Sequence, residues 1–129
     1  MIKIENVSKE YKKGTKVIEN LNLEIKDGEI FGFLGPNGVG KTTTIKMITG
    51  ILNIDEGDIL IDGVSIQKNP TEAKKRFGFV PDSPDMFLKL KGLEYLNFLA
   101  TIYKVSKEES KKRIVELAEK FELTSALGD

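Results

Sequence analysis

Gly35-Pro36-Asn37-Gly38-Val39-Gly40-Lys41-Thr42 fits the pattern G-x-x-x-x-G-K-[ST] at every position. Each residue type has a physical use. A triphosphate is a dense cluster of negative oxygens. Backbone N–H groups can ring it only where side chains do not intrude, hence the glycines. Lys41 offers a mobile full charge to the β- and γ-phosphates, and a helix opening near it adds the partial positive charge of its N-terminus. The Thr42 hydroxyl is a hard oxygen ligand for Mg²⁺, and Thr43 is placed to reach an α-phosphate oxygen. The expected phosphate and metal contacts are therefore Asn37, Gly38, Val39, Gly40, Lys41, Thr42 and Thr43. A glycine-rich turn that met a lysine by chance would lack the flanking context found here. An apolar run, Ile30 to Leu34, precedes the loop, and a helical pattern follows it.

The elements that must hold this loop can be read from periodicity. Ile2, Ile4 and Val7, then Val17, Ile18, Leu21, Leu23 and Ile25, predict two half-buried strands joined by a turn at Lys12-Lys13-Gly14-Thr15. After the turn signal Asp27-Gly28, Ile30 to Leu34 predicts a buried strand. Thr43 to Ile51 predicts a helix, with Ile45, Ile48 and Leu52 on one face. Ile59 and Ile61 predict a strand closed by Gly63. Thr71 to Arg76 predicts a short helix, and Phe77 to Val80 a short buried strand that Pro81 to Pro84 breaks. Leu93 to Tyr103 reads as a helix apolar nearly all round, hence buried or covered. Ser106 and Glu109 form a capping box for a last helix, whose apolar stripe is Ile114, Leu117, Ala118 and Phe121. The pattern is α/β with a β-rich N-terminal lobe.

Bulk composition sets limits on the function. A chain of 129 residues, 40% hydrophobic and 31% charged, suits one soluble domain with a real core. Twenty basic and 20 acidic residues balance. That argues against a nucleic-acid binder relying on bulk positive charge, and none is expected as a partner. Without cysteine there are no disulfides, and without histidine there is no imidazole chemistry. No apolar run approaches the roughly 20 residues that span a bilayer, so membrane association is expected through a partner.

In its order of motifs the chain resembles the N-terminal part of an ABC transporter ATP-binding domain, closest to the exporter-type subgroup. Gly35 to Thr43 is that family's Walker A spelling. Leu21-Asn22-Leu23-Glu24-Ile25-Lys26-Asp27-Gly28-Glu29-Ile30 before it, Met47-Ile48-Thr49-Gly50-Ile51 after it, and Glu56-Gly57-Asp58-Ile59-Leu60-Ile61-Asp62-Gly63 agree. The resemblance implies a P-loop NTPase fold that is incomplete. Residues 1–83 would be the β lobe and partial core, and residues 84–129 the start of the helical subdomain.

The resemblance also implies ATP and Mg²⁺ as ligands. It makes Tyr11 the aromatic that stacks on adenine, against the alternative of an exposed strand-end tyrosine. On the stacking reading the flat ring matters and the hydroxyl little. Val17 would flank the base or ribose, or belong to the core. Asp82 stands where the family has its Q-loop glutamine. It can hold Mg²⁺ directly or through water but cannot donate as an amide does; a solvated turn aspartate is the alternative. Pro84-Asp85-Met86-Phe87-Leu88 would meet the coupling helix of a membrane subunit, or else close the core.

The family's later catalytic parts have no counterpart here. The Leu-Ser-Gly-Gly-Gln signature, an apolar strand ending in Asp-Glu and a switch histidine are all lacking. Ile59-Leu60-Ile61-Asp62 is followed by Gly63, which suits a hairpin better. The chain is therefore expected to be part of a longer domain, with no catalytic residue of its own and no hydrolysis. Its two expected parallel strands would pair directly, borrow strands from another copy, or belong to a larger sheet. The implied whole is an exporter's ATPase on the cytoplasmic face of a membrane. Its partners would be a transmembrane permease subunit and a second ATP-binding domain. A GTPase would need an Asn-Lys-x-Asp guanine reader, which is lacking. An ABC-type ATPase acting on DNA or ribosomes, and a nucleotide-binding module without catalysis, are the remaining alternatives.

Overall fold

Alternating apolar residues at Ile2 and Ile4 begin a long strand, β1 (Ile2–Lys12), which lies between two antiparallel neighbours. The structure is a computed structural model that describes residues 1–12, 14–82 and 90–128. On one side, β2 (Thr15–Ile25) pairs with β1, Ile2 opposite Ile25 and Ile4 opposite Leu23. On the other, β3 (Glu56–Ile61) sets Ile59 opposite Ile4 and Ile61 opposite Ile2. β4 (Val64–Ser65) returns along β3, giving the order β2-β1-β3-β4. The β3–β4 turn is Asp62-Gly63 with φ of 47° and 77°. Two successive left-handed residues are what a tight hairpin matching the strand twist needs, and Asp-Gly supplies them cheaply.

Strict alternation fails inside β1. Ile4 and Val7 are both buried although three positions separate them. The register shifts between them, and Asn6 has φ of 51°, so a bulge brings Val7 into the same core as Ile4. That core gathers Ile4, Val7, Ile59 and Ile61 of the sheet with Ile18 of β2 and Ile54 and Ile66 of the connections. Onto it pack Met47 of α1 (Lys41–Ile48) and Ala73 of α2 (Pro70–Lys74). Each fully buried Ile or Met stabilises by about 1.5–3 kcal/mol relative to exposure. Helix α1 starts two residues earlier than its pattern suggests and stops at Thr49, where Gly50 takes φ of 64°.

Two expectations fail in this region. Ile30 to Leu34 is not a buried strand: it joins no sheet, and Leu34 is 93% exposed. Phe77 to Val80 is likewise no strand, and Val80 is 90% exposed. Of the three alternatives for the two segments, direct pairing does not occur. The cause is physical. A strand of a parallel sheet is held by backbone partners at its sides, and among the described residues neither segment has a strand partner. Phe31 and Phe33 make a tilted ring contact, centroids 6.3 Å apart.

The chain divides into two compact units, Met1–Phe79 and Val80–Asp129. The second holds α3 (Gly92–Ile102), α4 (Lys107–Lys120) and a 3-10 turn at Ala126–Gly128. The expected Ser106 cap is present: its hydroxyl accepts from the Glu109 N–H at 3.2 Å. The Glu109 carboxylate turns instead to Arg113 Nε, 2.6 Å away. On α4, Ala118 is buried and Ile114 half-buried, but Leu117 and Phe121 are exposed. Of the two expectations for α3, buried or covered, burial within this chain does not hold: none of its residues is buried, and Leu93, Phe98 and Ile102 are exposed. Among the described residues of this unit, α4 and the 3-10 turn leave part of the apolar surface of α3 open. The docking surface expected at 84–88 lies outside the described residues. No helix among the described residues is long and apolar enough to cross a membrane.

Candidate functional site

The glycine-rich loop leads directly into α1. Gly40 is the N-cap residue, with φ of 93°, and no side chain caps the helix. The first turn carries no acidic residue. The orphan N–H groups at this end are therefore not claimed by a side-chain cap, and their partial positive charge is not offset by a carboxylate within the turn. Gly40 is buried against β2. A Cβ there would stand 3.0 Å from Ile18 Cγ1 and 3.3 Å from the Val17 carbonyl oxygen. Only glycine fits both this approach and this backbone angle. Strand β2 thus seats the loop, and Val17 takes part through its backbone while its half-buried side chain packs on the core.

Lys41 curls back over the loop. Its ammonium donates to the Gly35 carbonyl and, at 2.6 Å, to the Pro36 carbonyl. The charge is thus held at the mouth of the same turn whose glycines leave the backbone bare. Asn37, Gly38 and Val39 form the exposed rim. Three successive threonines meet three different fates. The Thr42 side chain is exposed and engages no partner among the described residues. Thr43 is only 8% exposed, and its Oγ1 lies 3.2 Å from the Tyr11 hydroxyl. Thr44 is buried and donates to the Gly40 carbonyl at 2.9 Å. Uncapped helix start, glycine loop, lysine and free threonine hydroxyl together suit a polyphosphate with a hard cation.

Tyr11 sits near the end of β1, its ring mostly exposed. Two residues before it, Lys9 Nζ pairs with Asp55 Oδ1 at 2.6 Å, and the Glu10 N–H donates to Asp55 Oδ2 at 2.8 Å. Asp55 therefore fastens the β1 end that carries Tyr11 to the connection leaving α1. The hydrogen bond from Lys9, aided by the Glu10 N–H, holds the Asp55 carboxyl below its ordinary value. The tie of Asp55 to Lys9, 46 positions away, leaves no local trace in the sequence. The Tyr11 hydroxyl, expected to matter little, has a defined partner. Asp82 belongs to the second unit, at an exposed bend. Among the described residues no three Asp, Glu, Cys or His side chains cluster as a metal site.

Comparison with known proteins shows the family. The family described as ABC transporter matches residues 18–128. The chain is 39% identical over 129 residues to the linearmycin resistance ATP-binding protein LnrL of Bacillus subtilis (strain 168), covering 100% of this chain and 41% of that protein. It is similar to a solved structure described as the ATP binding subunit of an ABC transporter. There the TM-score is 0.90 and the identity 28%, over 100% of this chain and 53% of the other. It is also similar to the dimeric, post-hydrolysis structure of the ATP-binding cassette MJ0796 bound to ADP and Pi. That match has a TM-score of 0.81 and 31% identity, over 99% of this chain and 60% of the other. The chain thus spans under half of the curated relative and somewhat over half of the solved chains, and its architecture is that part of an ABC ATPase domain. Motif, fold and similarity converge, and the chain belongs to the ABC transporter family.

Proposed function

We propose that this chain binds MgATP, and that the protein carrying it is the ATPase subunit of a membrane transporter of the exporter type. The observation that carries the binding is the loop itself: Lys41 held at the mouth of a glycine turn that opens an uncapped helix. In this reading the backbone around Asn37, Gly38, Val39 and Gly40 wraps the phosphates, and Lys41 leaves its carbonyl partners to neutralise the β- and γ-oxygens. Thr42 holds Mg²⁺, whose remaining ligands are phosphate oxygens and water, as this cation prefers. Thr43 meets an α-phosphate oxygen, Tyr11 lies on the adenine and Val17 flanks the base or ribose. Asp82 is the further candidate for the metal.

Bound Mg²⁺ would lower the charge that develops on a leaving diphosphate. No residue of this chain is assigned as the base that activates water. Hydrolysis is a property of the whole protein, and these residues alone are expected to bind without turnover. A dimeric cassette among the similar structures supports a second ATP-binding domain as partner. The family's description as ABC transporter, and the solved structure described as the ATP binding subunit of one, support work with a permease subunit rather than on nucleic acid.

Calorimetry of the protein carrying this chain tests the binding. Micromolar MgATP affinity that disappears in Lys41→Ala is expected; equal affinity in the two proteins removes the P-loop reading. Cross-linking from Asp85→Cys and Lys89→Cys tests the transport half. Adducts with a membrane subunit are expected, and adducts only within the ATPase speak against it.

A further inference from the structure

A threonine in a helix has a default use for its hydroxyl: it bonds the carbonyl three or four residues back. Thr44 does so with Gly40 at 2.9 Å, Thr49 with Ile45 at 3.0 Å, and Thr101 with Asn97 at 2.9 Å. Thr43 does not. Its Oγ1 is paired with the Tyr11 hydroxyl at 3.2 Å, across 32 positions of sequence. The two side chains are unlike in exposure. Thr43 is 8% exposed, while Tyr11 is 57% exposed and tethered at its far end.

The β1 end that carries Tyr11 is itself fixed, through Lys9 and Glu10 on Asp55. The tyrosine hydroxyl therefore reaches Thr43 from an anchored strand, not from a loose side chain. Such a contact offers the threonine an alternative to its own helix, and it leaves the second lone pair or the proton of Oγ1 available to a third group.

We infer that the Tyr11 hydroxyl is a positioning group for Thr43, so that Tyr11 acts on the phosphate end of the nucleotide as well as on its base. The inference rests on the MgATP reading and deepens it. The ring covers the base, and the hydroxyl fixes the rotamer of Thr43, whose carbonyl four residues back, that of Val39, precedes the helix start. Removing the hydroxyl leaves Thr43 Oγ1 without this partner and free to turn away from a phosphate oxygen. Tyr11→Phe keeps the ring and is therefore not silent.

The test separates base from phosphate. Calorimetric affinities are measured in the protein carrying this chain for MgATP and for magnesium tripolyphosphate, which has no base. The proteins are the unmodified one, Tyr11→Phe, Thr43→Val and the double variant. Tyr11→Phe is expected to weaken both ligands by about fivefold, the scale of one hydrogen bond. Thr43→Val is expected to weaken both at least as much, and the double variant no more than Thr43→Val alone, since the two hydroxyls act as one unit. Thr43→Ser, which keeps the hydroxyl, retains tripolyphosphate binding. Unchanged tripolyphosphate affinity in Tyr11→Phe overturns the inference and leaves Tyr11 a base contact only. Additive losses in the double variant overturn it as well. If the unmodified protein binds neither ligand, the nucleotide reading itself fails and this inference goes with it.

Discussion

Helices α1 and α4 face the same problem at their N-termini and meet it in opposite ways. Each leaves backbone N–H groups without helical partners. Helix α4 answers from its own chain: Ser106 caps the Glu109 N–H, and Glu108 and Glu109 place negative charge in the first turn. Helix α1 begins on Gly40, with no side-chain cap and no acid in its first turn. An absent cap costs a helix about 0.5–2 kcal/mol. The difference shows which start serves stability and which is kept open for an anion. The same eight-residue loop that withholds a cap from α1 also supplies the lysine that would meet the ligand's charge.

The comparison is broken most directly at Lys41. Lys41→Ala is expected to abolish measurable MgATP binding, because it removes the one full charge beside the open helix start. A calorimetric isotherm like that of the unmodified protein would show that α1 is merely a poorly capped helix. Gly40→Ala is next in size. The new Cβ meets Ile18 and the Val17 carbonyl at a backbone angle suited to glycine, which should lower stability by about 1–3 kcal/mol in denaturant unfolding. Unaltered stability would mean that β2 does not seat the loop.

Ser106→Ala sharpens the contrast from the other side. It should destabilise α4 by about 1 kcal/mol, seen as faster amide exchange over Lys107 to Ser110, with no change in MgATP affinity. A fall in affinity would show that the two helix starts are not separate in function. The smallest effect belongs to Asp55, which lies outside both. Its folded pKa is below the ordinary 3.8, so its contribution is present above that value and fades as pH falls through the folded pKa. Asp55→Asn should flatten this part of the acid unfolding curve, and the effect should shrink in high salt because the carboxylate is exposed. An identical acid curve for the variant would remove the Lys9 tie as a support for Tyr11.

Much of the positioning framework was legible because it rests on local chemistry. Asp62-Gly63 announces a tight hairpin wherever it occurs between alternating apolar residues, and the β3–β4 turn follows it. Ser106 announces a helix start three residues before Glu109. The failures share one cause. Ile30 to Leu34 and the α3 residues are apolar enough to be buried, but apolarity states a demand and not a supply. Whether it is met depends on what other segments stand nearby, and here Leu34 and Ile102 remain exposed. The central place of β1, between β2 and β3, was not visible either, since sheet neighbours are selected by long-range pairing.

By itself, then, the sequence determined the loop that would hold a triphosphate, the turns and caps of short range, and the family. These depend on backbone angles and on groups a few bonds apart, which neighbouring residues control. The tertiary structure decided which hydroxyl Thr43 bonds, what Asp55 fastens and which apolar residues find cover. Those outcomes join residues tens of positions apart. They are set by how the sheet and α1 pack in space, and hydrogen bonds and burial follow distance in space rather than distance along the chain.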